Sequence, residues 1–123
     1  MINFSEDKIN QVWQKGVSVQ GNDNTKYRQD MCGAWIQKDK YGTQEHLGWV
    51  IDHVYPTSKG GTDDIINLRP MHWGNNRSKK DNYPSYVCAI KSIDSKNVKS
   101  DETRTINKEL QEALKTKYKI LNL

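Results

Sequence analysis

"WVIDHVYPTSKGGTDDIINLRPMHWGNNRSKKD", residues 49–81, is the stretch on which the reading of this chain turns. "LGWVID" reads as a strand, and it ends on an acid and an imidazole, Asp52 and His53. Pro56 and the Ser-Lys-Gly-Gly run at 58–61 have the chemistry of a turn-rich loop. "INLRPMHW" reads as a short extended piece, although Pro70 argues against a regular central strand position. "GNNRSKKD" is polar and helical in character, with its start near Gly74 or Asn75.

Four polar residues stand out by type and spacing: Asp52, His53, Asn67 and Asn76. Phosphodiester cleavage needs a group that takes a proton from water, and an imidazole titrates in the right range. It also needs positive charge beside the phosphate, which a hard divalent cation supplies through oxygen ligands. A carboxylate and an amide carbonyl are such ligands. On this reading Asp52 and Asn76 hold the ion and His53 activates the water. Asn67 braces the loop through hydrogen bonds to backbone, which keeps His53 aimed. One tension follows from strand geometry. Adjacent residues point to opposite faces, so Asp52 and His53 serve one phosphate only if the strand frays or bulges there.

These residues together resemble the HNH endonuclease motif. Its elements stand here as Asp52-His53, Pro56, Ser58, Gly60-Gly61, Asn67-Leu68, Asn76 and Lys79. Upstream, "RQDMCGAWI", "YG" and "GW" are similar to one bacterial subgroup of small HNH proteins, so the resemblance covers about residues 26–82. It implies an α+β fold around a ββα-metal core, two short antiparallel strands and a helix about one ion, with additional N- and C-terminal helices. It implies His53 as general base, Asn67 as the loop-orienting residue, and Asp52 and Asn76 as metal ligands. Lys79, with Arg77 and Lys80, becomes a phosphate contact; His72 could reach the metal, contact phosphate or merely pack, and it is carried as a candidate for nucleic-acid contact. The implied cofactor is one divalent ion, magnesium or manganese before others. The implied substrate is DNA, with RNA open.

Two departures from the family matter. Many relatives carry two C-x-x-C pairs that bind a structural zinc. Here those places read Cys32-Gly-Ala-Trp35 and His72-Trp-Gly-Asn75, so no structural zinc is expected, and packing of Trp35 and Trp73 takes the role of the staple. Many subgroup members also have an acid where Val50 stands. Arg28 and Asp30 match the subgroup's R-x-D pattern, with an ion pair as the one physical role to suggest. His46 lies before the strand and is read as incidental, and the tryptophans are read as core.

The rest of the chain frames this unit. At 123 residues it is read as a single domain, with Ser5 capping an N-terminal helix that carries Ile9, Val12 and Trp13. Ala34, Trp35 and Ile36 suggest a short strand. The polar run "DSKNVKSDE" at 94–102 reads as a mobile loop, inside a C-terminal helical extension over about 83–123. There, residues 103–117 read as an amphipathic helix with Ile106, Leu110, Ala113 and Leu114 on one face. Cys32 and Cys88 read as buried, reduced thiols rather than as a bridge.

The net charge of +4 is concentrated in the C-terminal third and suits a polyanionic partner. No apolar run is long enough to span a bilayer. The N-terminus lacks the pattern of a secretory signal, which gives a cytoplasmic expectation, with signal-independent secretion as the other route. No helix-turn-helix or zinc-finger reader is recognisable, so sequence specificity is expected to be low. The reading is therefore a DNA endonuclease. One alternative is a catalytically silent nucleic-acid- or protein-binding module on the same scaffold. The other is a toxin nuclease of an interbacterial or phage system, which would bring an immunity protein as partner.

Overall fold

The computed structural model describes residues 4–120. Residues 1–3, which begin the stretch read above for a targeting signal, lie outside them. The described residues form a mixed α+β structure of three α-helices and three two-stranded antiparallel sheets. The first helix, α1, is Glu6–Trp13 and starts where the sequence places it, with Ser5 Oγ accepting from Lys8 N–H. Strands β1 (Tyr27–Gln29) and β2 (Trp35–Gln37) form one small sheet. β3 (Trp49–His53) and β4 (Leu68–His72) form the second, and α2 (Trp73–Lys79) follows directly.

Pro70 does sit in a paired strand, opposite Ile51. A two-stranded sheet has only edges, so the missing N–H can face away from the partner. β3 and β4 separate two apolar clusters. Trp49, Ile51 and Leu68 pack with Val12, Trp13 and Ile36 on the α1 side. Val54 and Met71 pack on the other side with Tyr86, Cys88, Ile106 and Leu114.

The C-terminal forty residues differ from the sequence reading. The run at 94–102 is no mobile loop: it lies in a long hairpin of β5 (Ser85–Ile93) and β6 (Lys96–Thr105). Asp94 turns the chain in a left-handed conformation, φ 52°. The last helix, α3, is Lys108–Tyr118, capped by Asn107, so residues 103–105 belong to the sheet and Ile106 precedes the helix. The extension is thus hairpin plus helix. Nor are the cysteines reduced thiols. Cys32 and Cys88 are joined in a disulfide that ties the turn before β2 to β5. No helix among the described residues is long and apolar enough to cross a membrane.

Candidate functional site

The loop between β3 and β4 is closed by Asn67, which is fully buried. Its Oδ1 accepts Tyr55 N–H at 2.7 Å, and its Nδ2 donates to Tyr55 O and Thr62 O, both at 3.0 Å. This is the bracing role read from the sequence. The glycine pair is needed for the same closure. Gly60 has φ 109°, which disfavours side chains, and a Cβ on Gly61 would lie 1.8 Å from Tyr55 O. The loop is also held from outside by α3. Tyr118 Oη lies 2.7 Å from Thr62 Oγ1 and accepts Thr62 N–H at 3.2 Å. Its ring stacks on Tyr55 at 5.6 Å, and Lys117 pairs with Asp64 at 2.9 Å.

β3 keeps its register through His53, which pairs with Leu68. There is no fray or bulge within the strand, so Asp52 and His53 leave it on opposite faces. Asp52 turns toward α2, where its Oδ1 accepts from Asn76 Nδ2 at 3.2 Å. The two residues named as metal ligands are therefore side by side. His53 turns toward the α1 side, with Phe4 6.2 Å away ring to ring. There its Nε2 lies 2.7 Å from Asp63 Oδ1. Asp63 is a site residue the sequence reading missed. It is one of two adjacent aspartates in a loop, and no spacing rule separates it from Asp64.

Asp52 is 2 % exposed and meets two cations. Arg69 Nε donates to Oδ2 at 3.0 Å, and Lys79 Nζ stands 3.4 Å from Oδ1. Lys79 is itself fully buried and also donates to His53 O at 3.0 Å. Burial pushes its ammonium below the usual lysine range, while the Asp52 carboxylate pulls it back up. Arg69 lies over the Tyr86 ring at 5.0 Å. Asp52 and Asn76 are oxygen donors of the type a hard dication takes. Yet one carboxylate already paired with two cations, and closed to water, does not fit a divalent ion as placed. Among the described residues no group of three or more His, Cys, Asp or Glu side chains is arranged to hold a metal.

The four residues read as nucleic-acid contacts divide into two kinds. Arg77 and Lys80 are exposed, with Arg77 stacked on Trp73 at 5.1 Å. Lys79 and His72 are buried. His72 caps α2 by accepting Gly74 N–H on Nδ1 at 3.0 Å, and its Nε2 lies 2.9 Å from His46 O. Those two bonds require a neutral ring with its proton on Nε2, and burial accordingly pushes its pKa down.

Arg28 and Asp30 do not pair with each other. Arg28 donates to the carbonyls of Asn24, Gln14 and Gly16 and lies 6.0 Å over Trp13. Asp30 stands where a staple is wanted. Oδ1 accepts Cys32 and Ala34 N–H, each at 2.9 Å, and Oδ2 accepts His72 N–H at 2.9 Å and Asn75 Nδ2 at 3.0 Å. Asn75 passes the connection on to Ile90 through both backbone groups. This network joins the segments 32–35 and 72–75, while the disulfide ties the first of them to β5.

Comparison with protein-family models, with curated proteins and with solved structures finds no match to this chain.

Proposed function

We propose that this chain is a DNA endonuclease of the HNH kind, hydrolysing phosphodiester bonds on a hairpin–helix unit formed by β3, β4 and α2. The observation that carries this reading is the His53–Asp63 contact at 2.7 Å, at the mouth of a loop held closed by Asn67. A carboxylate on Nε2 fixes the imidazole with its proton on that nitrogen. Nδ1 is then the atom that takes a proton from water. The exposed Arg77 and Lys80 supply backbone contacts to a polyanion. Family members draw charge from magnesium or manganese. In this chain the cations nearest Asp52 are its own Arg69 and Lys79.

The test is plasmid cleavage with magnesium or manganese, with and without chelator. His53→Ala is expected to lose cleavage by a factor of at least about 100 while keeping its fold and DNA affinity. Cleavage by His53→Ala at the wild-type rate sinks the mechanism.

A second reading is favoured by one observation, the pairing of Asp52 with two of the chain's own cations. A silent nucleic-acid-binding module has no need of an ion, and its buried carboxylate can be a purely structural clamp between β3, β4 and α2. DNA binding without cutting under any divalent ion decides for it.

A further inference from the structure

Lys79 is an unusual residue to find fully buried at the end of a short polar helix. Its ammonium rests on two oxygens, His53 O at 3.0 Å and Asp52 Oδ1 at 3.4 Å. The second of these also receives Asn76 Nδ2 at 3.2 Å. A peptide carbonyl and a carboxylate are the oxygen surroundings a hard cation selects, and Asn76 steadies the carboxylate by donating to it. We propose that the Lys79 ammonium is a tethered cation occupying the place where HNH proteins bind their divalent ion, and that it keeps such an ion out of the wild-type chain.

The proposal rests on the reading that Asp52 and Asn76 mark the family's ion position. It does not rest on DNA cleavage. Three features support it. The carboxylate has both its oxygens engaged without any ion, because Arg69 holds the second one at 3.0 Å. Two cations against one anion leave the pocket positive, so an arriving dication is repelled unless Lys79 withdraws. Lys79 also lies one helical turn after Asn76, so the backbone of α2 delivers both to the same carboxylate.

Manganese binding tests this directly. Free Mn2+ is counted by its electron paramagnetic resonance signal during titration of the intact chain, with thermal melts run alongside. Wild type is expected to leave micromolar Mn2+ free. Lys79→Met, similar in length but uncharged, is expected to bind one Mn2+ at least tenfold more tightly than wild type and to gain melting temperature with the ion. Lys79→Met with Asp52→Asn is expected to lose both effects. Stoichiometric Mn2+ binding by wild type that Asp52→Asn abolishes overturns the proposal, and so does a folded Lys79→Met chain that binds no more tightly than wild type. If Lys79→Met does not fold, Lys79→Gln takes its place with the same expected gain and the same overturning result. A chain that never cuts DNA can still pass this test, so the two readings fail separately.

Discussion

Asn67 and Tyr55 are joined by two hydrogen bonds at once, Tyr55 N–H to Oδ1 at 2.7 Å and Nδ2 to Tyr55 O at 3.0 Å. A side chain here does what a strand partner would do, and it does so with no exposure to water. Asn67→Ala leaves a backbone donor and two carbonyls short of a partner. It should cost about 3 kcal/mol in urea unfolding, at the upper end for loss of a buried hydrogen-bonding group. Asn67→Asp keeps the shape but aims negative charge at Tyr55 O and Thr62 O, and should cost no less.

In the proposed mechanism Asp63 acts through His53, 2.7 Å away, rather than on substrate. Asp63→Asn keeps the size of the side chain but removes the charge that fixes the imidazole. DNA cleavage should fall by about a hundredfold, the scale of one acid–base contribution. The side chain of Asp63 is 44 % exposed, so the melting temperature should stay nearly unchanged. A fall in kcat with KM and melting temperature unchanged would mark a positioning role that a packing defect does not imitate.

Tyr118 couples the last helix to the loop under His53. Tyr118→Phe removes the hydroxyl from Thr62 and should cost about 1 kcal/mol. Tyr118→Ala also removes the stack on Tyr55, and should raise hydrogen exchange at Gly61 and Thr62 above that at β3. Equal exchange in both variants would show that the ring contributes nothing to the loop.

His72 makes the structure sensitive to acid. Burial holds its folded pKa below the value of about 6.5 that an unfolded chain shows. Between those two values the unfolded chain binds more protons, so stability rises with pH through this window and is lost as pH falls below it. His72→Asn retains a capping side chain but does not titrate. The drop in urea midpoint between about pH 7.5 and about pH 5 should be smaller in His72→Asn than in wild type.

Much of this site was legible because it depends on short-range chemistry. Asn67 closing a glycine loop and Ser5 capping α1 both follow from residue type and spacing. What was hidden depends on partners distant in sequence. "DSKNVKSDE" is polar because most of β6 faces water, so it lacks the alternation that announces a strand. Asp30 shows its role only when His72 and Asn75 arrive from some forty residues away. The family resemblance makes Lys79 a phosphate contact, and lysine is almost always exposed. Only the tertiary structure reveals that it ends on Asp52 and His53 O. For Asp52 and His53 to serve one phosphate the strand had to fray or bulge, and the register through Leu68 shows that it does neither, so the two residues stay on opposite faces.

The cystine gives the chain a different covalent graph from a simple line. Cys32 and Cys88 lie 56 positions apart, and the segment between them becomes a closed ring containing β2, β3, β4 and α2. Every residue discussed as reactive, from Asp52 to Lys80, lies inside that ring. α1, β1, β6 and α3 are attached to it as two tails. A single peptide-bond break at the exposed Lys59 would open the ring without releasing a fragment, and each half would stay fastened to the other until the sulfur bridge was reduced.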